Sequence, residues 1–156
     1  VALAAAEPDE PRPGRRPRLL LGGSILTSDD RWLLELVESR ADIIGDILCT
    51  GARSFAGDVP AGEPLAALAR FYFTRIPCAH RRPNDRLHEH AVELASERRA
   101  DGFIYKTLLY CDAWSFEARR LQRSVGLPFL HLDTDYGREH REQTRTRVEA
   151  FLELLA

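Results

Sequence analysis

Cys111 stands directly before Asp112, where an apolar run ends and a helical pattern begins. A cysteine beside a helix start meets the positive end of the helix dipole. That end favours the thiolate, the form that attacks electrophiles and binds metals. The competing reading is a buried cysteine at a strand end, since free cysteine is among the most buried residue types. Cys49 and Cys78 are spaced too widely for a C-x-x-C zinc or redox pair. Gly22, Gly23 and Ser24 make a tight turn whose backbone can approach a ligand, but they are too short for a dinucleotide fingerprint. Lys106 is the one lysine of the chain and lies inside the apolar run. Asp133 and Asp135 offer a cation site, an acid and base, or ordinary turn caps. Arg81, Arg82 and Arg86, in a polar loop with His80, Asn84 and Asp85, either hold a phosphate or carboxylate or form a solvated surface. His88 and His90 are two apart, which rules out one helix face for a metal pair, and the histidines read as solvated.

These residues need elements to position them. Phe103 to Tyr110 is an apolar, aromatic and β-branched run, suited to a parallel strand buried on both faces. Trp114, Ala118, Leu121 and Val125 then recur at helical spacing with Asp112 as N-cap, and Gly126-Leu127-Pro128 closes that helix. Arg18 to Ser24 predicts the first strand, followed by a helix capped by Ser28 and Asp29. Ala41 to Leu48 predicts the second strand, ending at Cys49-Thr50-Gly51. The strongest amphipathic helix opens at Glu63-Pro64 with Leu65, Leu68, Ala69, Tyr72, Phe73 and Ile76, and Pro77-Cys78 stops it. A helix with Leu87, Ala91, Leu94 and Ala95 inward follows the arginine loop. Phe129 to Tyr136 predicts a fourth strand, and Val148, Phe151, Leu152 and Leu155 mark a last covering helix.

This alternation predicts an α/β three-layer sandwich with a small parallel sheet of about four strands, Rossmann- or flavodoxin-like. Right-handed crossovers favour the strand order 2-1-3-4. Ligands of such sheets bind beyond the carboxyl ends of the strands, at the switch point between the first and third. Gly22, Gly23, Ser24 and Cys111 are expected to share that crevice, with Lys106, Asp133, Asp135 and Arg147 as further candidates.

At 156 residues the chain accommodates one domain, expected over 18–156, with a Pro-rich linker over 1–17. Its 44% hydrophobic and 29% charged residues are those of a soluble globular protein. The net charge of −2 gives no footprint for nucleic acid or an anionic membrane, and no run approaches a membrane span. Three cysteines in a domain of this size suit a reducing, cytoplasmic setting. The chain opens with Val1 and contains no Met, which reads as a segment of something longer.

Five blocks together resemble the D-component family of 2-hydroxyacyl-CoA dehydratases, which includes related subunits of benzoyl-CoA reductase. They are Asp46-Ile-Leu-Cys-Thr-Gly51; Ile76-Pro-Cys78 with Pro83-Asn-Asp-Arg86; Asp101-Gly-Phe-Ile104 running to Tyr110-Cys-Asp112; His131-Leu-Asp-Thr-Asp-Tyr136; and Thr146-Arg-Val-Glu-Ala-Phe-Leu-Glu153. Glu142-Gln143 departs from the Gly-Gln common in relatives. The resemblance implies a subunit of about twice this length with two similar α/β domains, of which this is the C-terminal one. It implies a 4Fe–4S cluster in the intact subunit, with Cys111 as a metal ligand and the other ligands outside this chain. Cys49 and Cys78 would be site neighbours, and they join Gly22, Gly23, Ser24 and Lys106 as substrate-binding candidates.

The chemistry implied is elimination of water from a 2-hydroxyacyl-CoA after one-electron delivery from an ATP-dependent activator protein, or ring reduction in the reductase branch. The implied partners are the N-terminal half or a partner subunit, the activator, and an acyl-CoA. Activity is not expected from this chain alone. The other class of reading is a non-catalytic α/β module that binds an acyl-CoA or a partner without metal.

Overall fold

The computed structural model describes residues 14–55, 57–75, 77–135, 137 and 139–156. Most of the expected linker, and the expected roles of Ile76 and Tyr136, lie outside the described residues.

The elements are β1 (Arg18–Gly23), α1 (Arg31–Glu38), β2 (Asp42–Leu48), α2 (Pro64–Arg75), α3 (Asp85–Glu97), β3 (Gly102–Leu108), α4 (Asp112–Val125), β4 (Phe129–Thr134) and α5 (Arg141–Leu154). Short 3-10 turns at Ser28–Asp30 and Ala52–Phe55 precede α1 and follow β2. The four strands are all parallel in the order β2-β1-β3-β4, as the crossover argument predicts.

Side-chain alternation along the strands separates two cores. Leu19, Leu21, Ile104 and Leu132 face α1 and α5, where Leu33, Val37, Val148, Phe151 and Leu152 cover them. Leu20, Phe103 and Tyr105 face α3 and α4 and meet Leu87, Ala91, Trp114 and Leu121. Every residue of β3 is buried, as a strand covered on both faces requires. At the amino edge, Arg15 pairs with Asp101 at 2.8 Å, and the Asp101 carboxylate also accepts the Arg18 amide at 2.7 Å.

Several expectations need correction. The strand of the central run stops at Leu108. Tyr110 turns the chain at φ 68° and is 96% exposed. Asp112 is the first residue of α4, and Cys111 itself holds the N-cap position. The caps before α1 are Thr27 and Asp30, joined as a capping box, in place of Ser28 and Asp29. Gly126 ends α4 at φ 64°, as expected.

The largest departure is α2. Its apolar stripe points outward: Leu65 is 75% exposed, Phe73 79% and Tyr72 52%, while Ala67 and Phe71, on the opposite side, are buried. Helical periodicity reports which face is apolar. Which face the domain covers depends on the neighbours, and here the covered side is the narrower one.

Candidate functional site

The carboxyl edge of the sheet carries the candidate residues, and the sheet divides them between its two faces. Gly22 belongs to β1, and a Cβ there would fall 2.6 Å from the Phe103 ring. Gly23 has φ 110°, and its Cβ would lie 2.0 Å from the Lys106 carbonyl oxygen. The Ser24 amide donates to that same carbonyl at 2.8 Å, and its hydroxyl accepts the Leu108 amide at 3.2 Å. Gly22 thus leaves room for the Phe103 and Ile47 side chains and Gly23 lets backbone approach backbone, and the turn is stapled onto β3 across the switch point.

Lys106 points to the α1 and α5 side. It is 4% exposed, with Nζ 3.2 Å from Asp30 Oδ1 and 3.4 Å from the Ile25 carbonyl oxygen. Asp30 is held in turn by the Thr27 amide at 2.8 Å. This buried pair floors a cleft bounded by Trp32, Thr134, Asp135, His140 and Thr144, with free room of about 30 Å³. That is space for one or two waters. Arg141 lies 5.5 Å from the Trp32 ring centroid at its mouth.

The cysteines belong to the opposite face. Cys49 and Cys111 both pack against the α3–α4 core and are half-buried, as is Cys78; none is in a disulfide. Cys49 follows β2 and Cys111 lies beyond the turn that follows β3, and β1 runs between those two strands. The Asp46 block explains how Cys49 is held. The Asp46 carboxylate accepts the amides of Leu48 and Ala52 at 3.1 and 3.0 Å, and Gly51 leaves the space that this carboxylate occupies. The Cys111 amide donates to the Leu108 carbonyl at 3.0 Å, and the Cys111 carbonyl accepts the Ser115 amide at 3.0 Å as the first bond of α4. Among the described residues, no group of three or more His, Cys, Asp and Glu is placed to hold a metal ion.

Beside Cys111, the Tyr105 hydroxyl donates to the Trp114 carbonyl at 2.8 Å. Burial pushes the Tyr105 phenol far above its usual range, and negative charge on Glu117 and on Cys111 acts in the same direction. Tyr105 is therefore a neutral hydrogen-bond donor beneath the cysteine.

His88 is buried, contrary to the solvated expectation. Its Nε2 lies 2.8 Å from Glu117 Oε2, and Arg82 reaches Glu117 Oε1 at 3.3 Å. Both residues occupy inward stripes, His88 beside Leu87 and Ala91, and Glu117 beside Trp114 and Ala118. A charged residue on an apolar stripe was the signal available for Glu117.

At the β4 edge, Thr107 Oγ1 lies 2.7 Å from His131 Nε2 and donates to Asp133. Burial lowers the His131 pKa below its ordinary value, with Asp133 opposing and Arg147 assisting. Arg147 donates to the His131 carbonyl at 2.7 Å, and Asp135 accepts the Gly137 amide at 2.8 Å in a local turn. The two acidic residues therefore have different neighbours.

The 2-hydroxyglutaryl-CoA dehydratase D-component family matches residues 2–155. The chain is 30% identical over 150 residues to the (R)-phenyllactyl-CoA dehydratase beta subunit of Clostridium sporogenes, covering 94% of this chain and 40% of that protein. It is 29% identical over 146 residues to the putative dehydratase subunit YjiM of Escherichia coli K12, covering 90% of this chain and 38% of that one. The chain spans about two-fifths of the length of these curated relatives. Among the described residues no helix is long and apolar enough to cross a membrane.

Proposed function

The chain belongs to the 2-hydroxyglutaryl-CoA dehydratase D-component family, and on that premise we propose that it works as one α/β domain of a 2-hydroxyacyl-CoA dehydratase-type subunit. Cys111 would supply one thiolate to a 4Fe–4S cluster. The observation that carries this reading is the position of Cys111: a half-buried thiol at the N-cap of the fourteen-residue α4, just beyond the buried central strand. A thiolate is the donor such clusters take, and the helix end stabilises its charge.

The fit is for one ligand only. Among the described residues Cys49 and Cys78 do not combine with Cys111 into a three-ligand group, and on this reading the remaining ligands would come from a companion domain or partner subunit. When bound, the cluster supplies one-electron chemistry that no side chain provides. This chain's own part is to fix Cys111 through the first bond of α4 and to keep Tyr105 neutral beside it. The electron donor would be an ATP-dependent activator, the substrate a 2-hydroxyacyl-CoA, and the setting cytoplasmic.

The test is anaerobic assembly of the complete subunit with its partner and an ATP-dependent activator, assayed for enoyl-CoA formation from 2-hydroxyacyl-CoA thioesters. ATP-dependent appearance of enoyl-CoA supports the reading. Ring reduction of benzoyl-CoA instead would move the protein to the reductase branch. A specific observation also favours a partner-docking role: the exposed Leu65, Tyr72 and Phe73 stripe of α2. Co-purification lost on charge substitution of that stripe, with neither reaction detected, would select the non-catalytic module.

A further inference from the structure

The loop between α2 and α3 contains a buried donor that meets no acceptor among the described residues. Asn84 is 6% exposed at the N-cap of α3. Its Oδ1 accepts Arg120 Nη1 at 3.0 Å, which fixes the orientation of the amide, since the reversed amide would set donor against donor. Among the described residues its Nδ2 is then left without a partner. An unsatisfied buried donor is costly, and in native proteins it calls for an explanation.

The surroundings of that donor are cationic. Arg81 and Arg86 both donate to one carbonyl oxygen, that of Thr74, at 3.2 and 2.7 Å. Neither guanidinium has a carboxylate partner among the described residues. A single carbonyl neutralises neither charge, and each guanidinium keeps further N–H groups to donate. Two neighbouring groups are already committed. Arg82 is bound to Glu117 and to the Ala79 carbonyl, and Asp85 is bound to Arg120. Cys78, Arg81, Asn84 and Arg86 line one small pocket with room of about 10 Å³, enough for a single water, at the positive end of the thirteen-residue α3. Adjoining it is a wider hollow of about 360 Å³, which shares Cys78 and Arg81 and is walled by Tyr72 and Phe73.

We propose that Arg81 and Arg86, with Asn84, form a binding site for a phosphate group at the mouth of this pocket, the two guanidiniums supplying the charge and the buried Asn84 amide reaching the anion through the one water for which the pocket has room. The exposed rings of Tyr72 and Phe73 beside it suit a phosphate carried on a nucleotide, whose base stacks on an aromatic face. The site stands on the loop geometry alone and does not depend on the dehydratase reading.

The test is calorimetric titration of the chain at low ionic strength with inorganic phosphate, coenzyme A and 3′-dephospho-coenzyme A, against matched chloride. Wild type is expected to bind phosphate saturably, one per chain. Asn84→Asp keeps the acceptor for Arg120 and removes the donor, and Arg81→Gln removes one exposed charge. Each is expected to weaken binding on the order of tenfold or more. Bound phosphate should also slow alkylation of Cys78. If Asn84→Asp does not fold, Arg81→Gln carries the test.

Coenzyme A binding tighter than phosphate, and losing that advantage without its 3′-phosphate, would assign a nucleotide ligand. Equal affinities would assign the free ion, and either result supports the site. No saturable binding beyond the chloride control, or unchanged affinity in the folded variants, would overturn the proposal.

Discussion

His88 and Glu117 face each other across the α3–α4 interface, with Nε2 and Oε2 2.8 Å apart and both side chains 7% exposed. Arg82 closes the other side of the carboxylate. Removing Glu117 leaves His88 buried without its carboxylate, while Arg82, 58% exposed, keeps the Ala79 carbonyl. Glu117→Leu is therefore expected to destabilise the fold by about 3 kcal/mol. Urea unfolding of the variant against wild type measures this. A loss below about 0.5 kcal/mol, the size of an ordinary surface substitution, would mean that the pair is not closed in solution.

His131 gives a pH dependence of definite sign. Its folded-state pKa is lowered, chiefly by burial, from an ordinary value of 6.5. The unfolded chain therefore binds more protons than the folded one in the window just below that value, and stability rises with pH there. As pH falls from about 7 through 6.5 toward the lowered folded pKa, this contribution is progressively lost. His131→Asn should flatten the stability slope between about pH 5 and 7 relative to wild type. An identical slope in the two proteins would refute the assignment.

Gly23 tests the staple across the switch point. A Cβ there meets the Lys106 carbonyl oxygen at 2.0 Å, and φ is 110°. Neither term relaxes without moving β1 from β3, so Gly23→Ala should cost about 3 kcal/mol or more. Thermal unfolding by circular dichroism reads this directly, and a near-native midpoint would show that the turn is looser than described.

The orientation of α2 is tested by two substitutions on opposite sides of one helix. Phe71 is 3% exposed, so Phe71→Ala should cost about 3–4 kcal/mol. Phe73 is 79% exposed, and Phe73→Glu in the isolated chain should change stability by no more than about 0.5 kcal/mol. The reverse ranking would return the apolar stripe to the core.

The sheet order was legible because alternating elements with right-handed crossovers leave few topologies, and β3 because a run apolar on both faces has few other uses. Cys111 at the strand-to-helix junction was legible to within one residue. The rest depends on what another element contributes. The α2 periodicity identifies an apolar face without saying whether anything covers it. The Asn84 donor is orphaned only because Arg120 reaches over from α4, and Gly23 is needed only because the Lys106 carbonyl occupies its Cβ space. His88 was read as surface because its partner Glu117 lies on a different helix.

The most direct test of the central claim is anaerobic iron and acid-labile sulfide determination, with an optical spectrum, on the complete subunit carrying Cys111→Ser, beside wild type, Cys49→Ser and Cys78→Ser. Cys111→Ser is expected to lose cluster iron and sulfide while its circular dichroism and unfolding midpoint remain those of wild type, and the other two variants are expected to keep their cluster. Full iron and sulfide in the Cys111→Ser protein would contradict the ligand assignment and leave the thiol as a packed strand-end cysteine.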